Sequence, residues 1–149
     1  MRLFVSSLFL FLIGSLSAQT MQEIDRYLTY FNNQHIEVNN LAMSYLQYAV
    51  HSEDFGTIEQ QRQNLIKQLN SSVEFMEKIE PIERGEDLRN TALEVFSSYL
   101  ESFNLDFVNL MQLKVESKTS YDAMEKYFSA RKEAEKKVDE AGERYAVAQ

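Results

Sequence analysis

The strongest constraint in this chain is a seam with no gap in it. Ile24, Leu28, Phe31, His35, Val38, Ala42, Tyr45 and Ala49 follow one another at steps of four and three. That spacing puts them on one stripe of an α-helix and defines a heptad repeat. It predicts a helix over residues 21–50, roughly 45 Å long at 1.5 Å per residue. A helix with one apolar stripe is stable only when other helices cover that stripe.

The rest of the chain supplies those helices. Residues 51–56 read as a loop, and Thr57 with Gln60 three residues on resembles a capping box that opens a second helix. Its ladder is Ile58, Arg62, Leu65, Leu69, Val73, Met76 and Ile79, and Pro81, the sole proline, stops it. The chain reverses around Arg84-Gly85-Glu86-Asp87, where the acids suit a new helix N-terminus. A third helix carries Leu93, Phe96, Leu100, Phe103, Phe107 and Leu110, widened by Leu88, Ala92, Val95 and Tyr99, and ends near 115–118. Thr119 or Ser120 caps a fourth, which carries Tyr121, Met124 and Phe128 in its first half. Tyr127, Ala130, Ala134, Val138, Ala141, Tyr145 and Ala148 follow in the second half, small residues that complement the phenylalanines of the third helix. Short connections make sequential helices antiparallel neighbours. The predicted fold is all-α, an up-down-up-down four-helix bundle over residues 19–149 as one domain.

Residues 1–18 stand apart. Arg2 precedes a short apolar run, and Ser15-Leu16-Ser17-Ala18 closes it with small residues, the pattern of a cleaved secretory signal peptide with its cut between Ala18 and Gln19. The run is too short for a membrane span, which needs about 20 apolar residues. No transmembrane segment is expected after cleavage. The product is expected to be exported: periplasmic, secreted or associated with the cell surface. The chain has no cysteine, which excludes disulfides, thiolate metal sites and lipid attachment at a cleavage-site cysteine. The formal net charge is −8, and the only charge of the leader is positive, so the domain after it is still more acidic. That balance argues against nucleic acid and anionic membranes as partners.

Few residues invite chemistry. Neither histidine follows a glutamate at the Glu-x-x-His spacing of di-iron bundles, since Asn32 and Tyr48 stand three residues before His35 and His51. A haem would use His35 with Met76, which level counting from the loops sets beside it. The plainer reading is a neutral core histidine bonded to Tyr99 or an asparagine. The same counting gathers Tyr45, Arg62, Asp106 and Arg131 into one polar layer, either an anion site or a device that fixes helix register. Tyr27, Tyr30 and Tyr48, with Leu41 nearby, form an outer aromatic set that either docks a partner or packs at helix edges. Asn70-Ser71-Ser72 matches a glycosylation sequon, but on a helix. No Ser/His/Asp order and no glycine-rich loop is present, so neither enzyme activity nor a cofactor is expected.

Taken together, Tyr48-Ala49-Val50-His51-Ser52, the Arg62 helix, Tyr121-Asp122-Ala123-Met124-Glu125-Lys126-Tyr127 and Tyr145 resemble a family of exported bacterial surface proteins of unknown function. The resemblance implies a helical secreted domain without an established activity. On this reading the chain is a non-enzymatic binding or interaction protein with a protein or surface partner. The alternatives are a small haem or metal carrier through His35 and Met76, and a periplasmic chaperone or stress adaptor.

Overall fold

The computed structural model describes residues 3–82 and 85–148, with side chains from residue 21 onward. The side chains of residues 1–20, the expected leader with its cleavage pair Ala18 and Gln19 included, therefore lie outside the described ones. The elements are α1 (Leu3–His51), α2 (Phe55–Lys78), α3 (Glu86–Asn104), α4 (Asp106–Glu116) and α5 (Tyr121–Ala148). Since α3 and α4 are one rod interrupted at Leu105, the architecture is the expected all-α four-helix bundle. Sequential helices pack on each other, with α5 against both α3 and α4. Among the described residues the backbones of α1 and α5 approach less closely than those of the other neighbouring rods, so that seam is the wider one.

The core follows the predicted ladders with one shift. Phe31, Val38, Ala42, Tyr45 and Ala49 are buried, but the seam enters through Tyr27 rather than Leu28, which is exposed. A straight α-helix drifts from a strict heptad by about 20° per repeat, so a stripe spanning several repeats cannot keep both ends inward. The outer aromatic set divides accordingly. Tyr27 is buried, Tyr30 stacks on Phe75 at 4.3 Å, and Tyr48 is exposed.

The helix ends depart from the sequence expectation in instructive ways. Asp54, not the Thr57 and Gln60 pair, caps α2: its carboxylate accepts from the Gly56 and Thr57 amides at 3.0 and 3.2 Å. At the far end Arg89 donates to the Met76 and Glu77 carbonyls, both at 2.9 Å, which caps the last turn of α2 with a cation. Lys114 does the same for α1. Its ammonium is buried and donates to the Ala49 carbonyl at 2.6 Å and the Ser52 carbonyl at 2.9 Å. Nearby, an ion pair of Lys118 and Glu53 joins the α4–α5 loop to the α1–α2 loop. Ser120 caps α5, accepting from the Ala123 amide at 3.1 Å.

Two features correct the sequence reading of the later helices. The third ladder breaks at Leu105, whose backbone (φ −114°, ψ −64°) departs from helical values between two weak helix formers, Asn104 and Asp106. On α5, Tyr121, Met124 and Phe128 do not enter the core and are exposed, while Tyr127, Ala134, Ala141 and Tyr145 form the buried stripe. Residues 127, 134 and 141 hold a heptad seam, and 121, 124 and 128 fall on a different face of the same helix.

The α2–α3 turn depends on Gly85. A Cβ there would meet Ile82 Cγ1 at 2.6 Å and the Tyr27 ring at 2.9 Å, and the Tyr27 hydroxyl donates to the Gly85 carbonyl at 3.1 Å. Gly85→Ala is therefore expected to lower stability by about 1–3 kcal/mol in urea unfolding, the usual cost of overpacking. Lys114→Met keeps most of the side-chain volume but orphans two carbonyls. It should lower stability by about 1–3 kcal/mol, with amide exchange rising first around residues 49–53.

Candidate functional site

Residues singled out from sequence fall in three places. His35 lies half-buried in the α1 seam with its ring stacked on Tyr145 at 4.4 Å, and Tyr145 in turn faces Phe96. Its neighbour is thus an α5 tyrosine rather than Tyr99 or an asparagine. Burial lowers the His35 pKa, so the ring is held neutral. Met76 is fully buried, but not beside it. Tyr30 stacks on Phe75, Gln34 accepts from Ser72 at 2.5 Å, and Ser44 donates to Gln61 at 3.4 Å. Those pairs set Met76 level with the residue before Tyr30, about 9 Å of helix rise from His35. Level counting misplaced it because it put the α1–α2 reversal too late; the loop is only Ser52-Glu53-Asp54.

The four-residue polar layer is half assembled. Arg62 is 7% exposed; its Nε and Nη2 donate to the Glu59 carboxylate at 2.8 and 2.7 Å, and Nη1 donates to the Phe103 carbonyl at 2.9 Å. Glu59 raises the Arg62 pKa through this hydrogen-bonded fork, and Arg62 holds the Glu59 carboxyl low. Tyr45 is fully buried beside it, edge-on to Phe103 and Phe107, and its hydroxyl has no hydrogen-bond partner among the described residues. Burial drives its pKa upward, only partly offset by Arg62. Asp106 and Arg131 do not pair as expected. Asp106 accepts from Lys137 at 2.9 and 3.0 Å, while Arg131 donates to Glu135 at 2.7 Å. Asp106, on α4, meets the flank of α5 that carries Lys137, and Arg131 lies on another flank. The residue that sequence missed is Tyr127, which acts electrostatically on both Tyr45 and Arg131.

A second buried polar cluster also went unread. Gln68 and Ser72 of α2 both donate to the Gln34 side-chain oxygen of α1, at 3.3 and 2.5 Å. Ser72, the last residue of the sequon, is thereby committed inside the α1–α2 interface. His51, by contrast, is exposed.

One feature with room for a ligand is the wider α1/α5 seam. A groove of about 650 Å³ runs between Asn40, Met43, Gln47 and Val50 of α1 and Arg131 and Glu135 of α5. Met124 and Phe128 continue the stripe of Arg131 and Glu135 at helical spacing, so the groove runs onto an apolar end. Met43, Val50, Met124 and Phe128 are 59, 38, 38 and 54% exposed. Among the described residues no group of three or more His, Cys, Asp or Glu could hold a metal ion, and no helix is long and apolar enough to cross a membrane. No protein-family model, curated protein or solved structure matches the chain.

The neutral, half-buried His35 has a signed consequence. A histidine whose pKa is lowered by folding must lose a stabilising neutral state when protonated. Its contribution is present above its ordinary value of 6.5 and fades as pH falls through and below it. The urea midpoint should therefore drop between about pH 7.5 and pH 5, and His35→Phe, which keeps the ring on Tyr145, should flatten that slope. An unchanged slope in the variant would assign the pH dependence to other groups.

Proposed function

We propose that this chain is an exported, non-enzymatic interaction module that binds a protein or surface partner along the α1/α5 groove. The observation that carries this reading is the groove itself, with Met43 and Val50 on one wall and Met124 and Phe128 extending the other. Apolar side chains aligned at helical spacing on the outside of a bundle mark an interaction surface, because water penalises them and the core has no use for them. The interior supports the same reading. Its polar groups, Arg62, Ser72 and Lys114, are spent on backbone carbonyls and on the side chains of Glu59 and Gln34 rather than gathered round a cavity. Export rests on the leader pattern, and kinship with exported surface proteins rests on the motifs that resemble theirs. The carrier reading gains nothing from a His35 whose nearest aromatic neighbour is Tyr145 and a Met76 on another level of the bundle.

The test is a native mass of the domain recovered from its exported fraction, taken with metal analysis and an absorption spectrum. The expected result is a metal-free, haem-free chain with extra mass from a bound protein, and Phe128→Asp should lose that mass while keeping its helicity and melting temperature. A stoichiometric metal or a haem band would overturn the reading in favour of the carrier. Equal capture by the variant would remove the groove from it.

A further inference from the structure

The outer side of α1 is short of charge in a chain that is rich in it. Acids and bases make up 26% of the residues, with a formal net charge of −8. Yet of the 13 exposed residues between Tyr27 and His51, Glu37 is the only carboxylate, and none is a lysine or arginine. Solvated helix faces carry charge, whereas the centres of protein interfaces lose it and keep methionine and aromatic rings. Ile36, Met43 and Val50 follow at heptad steps along this side, and all three are exposed. Met43 and Val50 line the α1/α5 groove, so Ile36 lengthens its wall.

The groove is also complementary to itself. His35 stacks on Tyr145 while Val50 lies near Arg131, so α1 and α5 run antiparallel, with Met43 level with Lys137 and Ile36 with Arg144. The exposed apolar residues of α5, Tyr121, Met124 and Phe128, therefore stand at one end of the groove, and Ile36 and Met43 of α1 at the other. A two-fold axis between Arg131 and Glu135 brings Phe128 of each copy over Met43 of the other, and Tyr121 over Ile36. It also sets Arg131 of each copy across from Glu135 of the other, so the ion pair of this groove exchanges partners and leaves no charge unanswered. From Tyr121 to the level of Ile36 the face is about 35 Å long, and across two helices it is about 20 Å wide. Covered by a copy, it would bury about 700 Å² per chain, close to the roughly 800 Å² per partner of a stable complex. A basic partner would be drawn to the acids elsewhere on the chain, but two copies at −8 repel least where their own surface is uncharged. Resting on the α1/α5 groove as the interaction surface, we propose that its occupant is a second copy of this chain, in a two-fold symmetric dimer.

The test is sedimentation velocity of the full domain at rising concentration. The expected result is a monomer–dimer equilibrium that favours the dimer by about 100 μM. Met43→Asp and Phe128→Asp should each raise the dissociation constant about tenfold or more, with helicity unchanged. Arg131→Glu and Glu135→Arg should each weaken self-association, because like charges then face each other across the axis, and an equal mixture of the two should form a heterodimer. A wild-type chain still monomeric at about 100 μM overturns the proposal, as does a mixture that forms no heterodimer. A dimer indifferent to Met43→Asp and Phe128→Asp overturns it by placing the contact elsewhere. A monomer whose native mass carries a different protein overturns it as well, but leaves the α1/α5 groove reading standing.

Discussion

A guanidinium inside a helical bundle must be answered on every side, and Arg62 organises the middle of this one. Its fork takes the Glu59 carboxylate on its own helix, and its remaining donor reaches the Phe103 carbonyl of the third rod. Burying the charge without those acceptors would cost several kcal/mol. The rod breaks two residues later, at Leu105, so the cation and the break occupy one level of the bundle. Tyr45 closes that level from α1, its ring against Phe103 and Phe107. Contacts from three helices thus converge on one side chain, and register between them follows.

The same chemistry recurs at the helix ends. Arg89 caps α2 and Lys114 caps α1, each from a later part of the chain. A helix C-terminus exposes carbonyls and partial negative charge, and a cation from a neighbour answers both. In an acidic chain with few glycines, these positive side chains take the role that a C-terminal glycine fills in many helices. They are drawn inward, which leaves the outer surface more negative than the composition alone implies. Glu94 and Glu143 lie exposed on that surface.

The sequence was most legible where period alone decides the outcome. The heptad seams placed Phe31, Leu65, Phe96 and Phe103 in the core and set the number and order of the helices, because burial of a stripe depends on spacing and little else. It was least legible where partners come from another helix. Lys114 reads as one more exposed lysine until α1 ends beside it. Asp106 and Arg131 are close in counted level, but rotation about α5 sends them to Lys137 and Glu135 instead. Tyr127 gave no signal apart from its place in the seam. Phe128 and Met124 misled because hydrophobicity predicts burial, whereas their face of α5 borders the wider seam with α1.

The position of Lys114 has one more consequence. The α1–α2 connection is a three-residue loop that would be a natural point of proteolytic attack. Its Ser52 carbonyl and the Ala49 carbonyl just before it are held by a lysine more than sixty residues further along, and Glu53 is held by Lys118. A nick there requires the α4 end to lift away first, so resistance to cleavage in the first hairpin reports on whether the last part of the chain has docked. Completion of the C-terminal half is thus what shields the N-terminal half.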